Sequence, residues 1–140
     1  MKFVAEKIEP GYSLEDFLVA INSRVFFWAT RDRLDRLRSA KQYRDEAQVL
    51  LHIDTRELVD RYEQQIQLCR FNSGAITQRN HPARSHDSWV SINRYPYEEY
   101  RRRYGHRRAL AEVTVLESVP DVLELTVDIE HLTSTTRSRV

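Results

Sequence analysis

Residues 25–29 read VFFWA, inside the longer stretch NSRVFFWAT, and none of these five side chains carries a polar group except the indole N–H of Trp28. A strand alternates its side chains between two faces, so a run this apolar predicts a strand covered on both sides. The chain has 140 residues and is 41% apolar, a size that builds one hydrophobic core. The run is therefore expected inside a single α+β domain over residues 1–132, with 133–140 as a flexible tail.

Other elements follow from spacing and caps. Ser13 precedes LEDFLVAI, where Leu14, Phe17, Leu18 and Ile21 repeat at helical intervals and Asp16 sits near the positive helix end. Thr30 is placed to cap a helix over 31–43, with Leu34, Leu37, Ala40 and Tyr43 on one side and mostly charged residues on the other. VLLHI (49–53) reads as a second buried strand, and Thr55 as the cap of a helix with Leu58, Val59 and Tyr62 inward. Residues 66–71 read as a further strand ended by Asn72-Ser73-Gly74, and 77–88 as a long exposed loop. Pro96 starts a helix YEEYRRRY that Gly105 stops. In 111–115, Ala111, Val113 and Val115 share one face and leave Glu112 and Thr114 on the other. Leu123, Leu125, Val127 and Ile129 alternate with acids or threonine, the pattern of a half-buried strand.

Charge limits function less than it limits location. The net charge is +1, so no global field calls for nucleic acid or an anionic membrane. Locally, Arg94, Arg101, Arg102, Arg103, Arg107 and Arg108 precede a segment, 109–132, that carries six acids and no lysine or arginine. Cys69 is the single cysteine, which excludes an internal disulfide and fits a reducing cytoplasm. No window approaches the roughly 18 apolar residues of a membrane helix. Only Gly11, Gly74 and Gly105 occur, so there is no glycine-rich phosphate loop, nucleophile elbow or zinc-protease helix.

The ordered blocks NSRVFFWATRDRLDRL, VLLHIDTRELV, FNSGA, INRYPYEEYRR and LAEVTVLESVPDV resemble, over residues 14–122, the C-terminal portion of an uncharacterised bacterial family. That layout is similar to the ADP-ribosyltransferase superfamily, in particular to the DNA-targeting DarT-like toxins. The resemblance implies an ADP-ribosyltransferase-like fold, NAD as co-substrate, and a nucleic-acid or protein acceptor. It carries the catalytic role onto Glu112 in LAEVTVLESVP. It also implies an N-terminal region with an NAD-holding histidine. The first histidine here is His52, inside a predicted strand, so that half is expected upstream or from a partner chain.

Residue chemistry supports the same candidates and leaves each a structural alternative. A carboxylate at Glu112 is suited to bind a ribose hydroxyl and to stabilise positive charge at an anomeric carbon as nicotinamide leaves; the alternative is a solvated strand face. Arg24 either emerges at a sheet end to hold phosphate bidentately or pairs with a neighbouring acid. Asn72, Ser73 and Gly74 either present backbone N–H groups to a ligand or make a plain turn. Tyr97, Tyr100, Arg101, Arg102 and Arg103 combine charge with stacking surface as single-strand nucleic-acid sites do, or form a solvated helix face. His52 is expected to be a hydrogen-bonded sheet residue. His81 and His86 lack a regular metal-ligand spacing, so no metal is expected. The overall expectation is a central mixed or antiparallel sheet flanked by short helices. It carries either an NAD-dependent transferase, whole or as a remnant, or a non-catalytic interaction domain that uses the basic tyrosine-rich helix.

Overall fold

The computed structural model describes residues 8–39, 45–73, 83–85 and 87–132. Its first element is the helix α1, Leu14–Asn22, started by Ser13, whose hydroxyl accepts from the Asp16 N–H while the Asp16 carboxylate accepts from the Ser13 N–H. This reciprocal cap satisfies two otherwise orphaned donors. Strand β1, Arg24–Trp28, is followed by α2, Arg31–Arg38, with Thr30 capping as expected. The remaining elements are β2 (Gln48–Ile53), α3 (Thr55–Tyr62), β3 (Ile66–Cys69), β4 (Val90–Ser91), α4 (Tyr97–Tyr104), β5 (Glu112–Leu116) and β6 (Thr126–Leu132).

Four strands form an antiparallel sheet in the order β1-β5-β3-β4, and β2 pairs with β6 in a second, two-stranded antiparallel sheet. The architecture is α+β. Register divides the four-stranded sheet into two faces. Val25, Phe27, Val113, Val115, Ile66 and Leu68 share a face and pack with Leu58, Val119 and Leu125 into the main core. On the opposite face, Cys69 packs with Tyr12, Phe17 and Trp89 in a second cluster beneath α1.

Several expectations are corrected. Among the described residues the VFFWA run lies in an edge strand, because β1 pairs there only with β5, and Phe26 remains 37% exposed rather than covered. The helix after Thr30 ends at Arg38, where Ser39 bonds back to Asp35; Tyr43 lies outside the described residues. Asp54, not Thr55, caps α3, since its carboxylate accepts from the Glu57 N–H. The third strand stops at Cys69 instead of 71, and β5 starts at Glu112 instead of 111.

The largest correction concerns 123–129. Residues 119–126 use their backbone in successive four-residue turns that send Leu125 into the core at 1% exposure. The strand begins only at Thr126. Arg31 grips Glu130 through two 3.0 Å bonds, turning the acidic face of β6 toward α2. Val127 and Ile129, with Val49 on β2, are exposed. The second strand is therefore not buried along its length, and the alternation marks a ribbon whose apolar side faces outward.

Candidate functional site

The β5 strand begins at Glu112, opposite Trp28 on one side and Cys69 on the other. Alternation places Glu112 and Thr114 on the face that carries Arg24 and Cys69. That face is covered by α1 and Trp89, so Glu112 is 2% exposed and Thr114 fully buried. The solvated strand face is thus overturned: both strand faces are covered, and the acid lies inside.

One carboxylate oxygen of Glu112, Oε2, accepts from the backbone N–H of Ser73 at 3.0 Å and from its hydroxyl at 3.2 Å. The other, Oε1, is buried without a hydrogen-bond partner among the described residues, as is the indole Nε1 of Trp89. Leaving a buried acceptor unpaired costs about 1–3 kcal/mol. Burial raises the pKa of Glu112 above the usual carboxylate range, opposed by the two Ser73 bonds and by Arg84 and Arg24. The Cys69 thiol is pushed up to about 12, first by burial and then by Glu112. It is a protonated core residue rather than a nucleophile.

Two guanidiniums flank the acid. Arg84 is fully buried; its Nε donates to the Ser73 carbonyl at 3.0 Å and its Nη2 to the Asn72 carbonyl at 3.3 Å, while its face lies 4.6 Å from the Phe71 ring. Arg24 donates from Nε to the Ala20 carbonyl and from Nη1 to Gln67 and Thr114, and stacks 4.1 Å over Trp89. Burial lowers the basicity of both arginines, and Glu112 partly restores it.

The sequence candidates therefore separate into groups. Glu112, Ser73, Asn72 and Arg24 belong to one buried polar cluster, with Ser73 supplying both donors to the acid. Gly74, His81 and His86 lie outside the described residues. Tyr97, Tyr100, Arg101, Arg102 and Arg103 lie apart on α4. There Arg101 is tied to Glu98 at 2.9 Å, and Tyr100 packs edge-on to Tyr95 and against Tyr104. His52 bonds Glu130 at 2.8 Å, the sheet role expected of it.

Arg84 and Trp89 were missed by sequence reasoning. Arg84 falls in the stretch 77–88 that reads as exposed loop and Trp89 directly follows it, so only their residue types, a guanidinium and an indole amid short polar residues, marked them. Their burial follows from a parallel bridge between Ile8 and Arg84 and from the stacking of Trp89 on Phe17.

The search of the curated proteins and that of the solved structures each found no match. A family model does match, over residues 1–126, and it spans every block that carries the resemblance. The chain belongs to DUF7002, a family of unknown function.

Proposed function

We propose that this chain carries the acidic part of an NAD-linked, ADP-ribosyltransferase-like site in which Glu112 is the charge-stabilising carboxylate. The supporting observation is the asymmetric satisfaction of that carboxylate: Ser73 occupies Oε2 twice, while Oε1 is buried and unpaired among the described residues. A glutamate held by one oxygen keeps its orientation when the other accepts a ribose hydroxyl. The same oxygen then faces the positive charge that develops as the bond to nicotinamide breaks. Arg24 and Arg84 favour the ionised form that this role requires.

The test is NAD binding by calorimetry together with NAD-dependent labelling of nucleic-acid and protein acceptors. Glu112→Gln is expected to reduce labelling at least ~100-fold with circular dichroism unchanged. Absence of NAD binding by the folded wild-type chain overturns the reading.

A second reading rests on α4, where Arg102 and Arg103 make no ion pair with a carboxylate among the described residues, while Arg101 is held by Glu98. As a nucleic-acid contact surface this helix should lose affinity on Arg102→Gln and Arg103→Gln, with a flatter salt dependence.

A further inference from the structure

The sheet end at which Glu112 sits also gathers arginines. Arg33 lies in the first turn of α2, just after β1; Arg70 follows the last residue of β3; Arg108 lies in the short turn that precedes β5. Antiparallel pairing of Trp28 and Cys69 with Glu112 brings those three chain ends together. The join is tight: the Ala29 N–H donates to the Ala111 carbonyl at 3.1 Å, the Ala111 N–H donates to the Cys69 carbonyl at 3.0 Å, and the Tyr95 hydroxyl donates to the Ala109 carbonyl.

None of the three guanidiniums has a hydrogen bond or ion pair to a carboxylate among the described residues, whereas Arg31, Arg38, Arg61 and Arg101 all do. Arg70 instead lies 4.1 Å over the Tyr104 ring, with Tyr100 and Phe71 each at 5.9 Å. Arg33 is half-buried, and its basicity is lowered by that burial and by Arg36, Arg108 and Arg70; the one acid that opposes this is Asp32, on its own turn. Gathering like charges in partial burial is unfavourable unless an anion completes the cluster.

We propose that Arg33, Arg70 and Arg108 form a binding site for a compact, multiply charged phosphoryl anion, with the Tyr100 and Tyr104 rings as its wall. Guanidiniums hold phosphoryl oxygens through paired N–H donors, and three of them drawn from chain ends that meet at one sheet end suit a diphosphate better than a single charge. Their origin in three separate segments, rather than along one helix, favours a small anion over an extended nucleic-acid backbone. The site uses none of the groups that hold Glu112 and stands independently of the transferase reading.

The experiment is thermal unfolding and calorimetry of the full chain with inorganic pyrophosphate, against sodium sulfate at matched ionic strength. Pyrophosphate is expected to raise the melting temperature saturably beyond the sulfate control. Arg33→Gln and Arg70→Gln should each weaken binding at least tenfold, and the exposed Arg108→Gln should do so without disturbing the fold. Without anion, Arg33→Gln should melt no lower than wild type, because it relieves repulsion. ADP binding more tightly than pyrophosphate assigns the phosphoryl group to a nucleotide, and equal binding assigns the site to the phosphoryl group alone; both support the proposal. It is overturned if pyrophosphate behaves like sulfate, if the variants bind as wild type, or if a short single-stranded oligonucleotide is preferred to both small anions.

Discussion

Two glutamates in this protein have acidities displaced in opposite directions. Burial raises the pKa of Glu112, whereas hydrogen bonds from Arg31 and then His52 lower that of the half-buried Glu130 to about 2. A raised acid favours the folded state while protonated, so the contribution of Glu112 is fully present below the ordinary value of 4.5 and is lost as pH rises through its folded value. Glu130 has the reverse sign: its contribution is present above 4.5 and is lost as pH falls toward about 2. Denaturant midpoints of wild type and Glu112→Gln, measured from pH 4 to pH 8, should therefore diverge, with wild type losing ground to the variant as pH rises. Parallel curves would show that Glu112 carries no burial penalty. The alternation in 111–115 identified the side on which Glu112 stands, but period-two patterning says nothing about what covers a face. The covering groups, α1, Trp89 and Arg84, are distant in sequence, and that part of the site was not legible.

Helix caps show how finely local chemistry is written. Asp54 and Thr55 are both good cap residues, and the sequence reading chose the threonine. Backbone at Asp54 is extended and its carboxylate meets the Glu57 N–H at 3.1 Å, so Thr55 is already the first helical residue. Asp54→Ala should lower unfolding free energy by about 1 kcal/mol, whereas Thr55→Ala should leave it unchanged or raise it by a few tenths, read from urea titrations; equal losses would contradict the assignment. Most elements were visible because caps and periodicity are local. The β6 strand was misread because strict alternation does not distinguish a core-facing side from an outward one. The tether that decides it, Arg31 to Glu130, joins residues 99 apart. The edge position of β1 was hidden for the same reason, since an apolar run does not reveal how many neighbours a strand has.

At the scale of the molecule, pairing is long-range. Arg24 bonds Thr114 across 90 residues and His52 bonds Glu130 across 78. The order β1-β5-β3-β4 places the last strand to be made between two of the earlier ones. Topologies dominated by such contacts fold in roughly milliseconds to seconds rather than microseconds. Stopped-flow refolding followed through Trp28 and Trp89 should fall in that range; a sub-millisecond phase carrying the full amplitude would contradict it. For the edge strand β1 the pairing carries a cost during synthesis. Its only sheet partner among the described residues is β5, and a ribosome adding roughly 5–20 residues per second needs about 5–20 s to supply it. Through that interval Val25, Phe26, Phe27 and Trp28 lack the strand they pair with in the fold, and four consecutive large apolar side chains stay open to association.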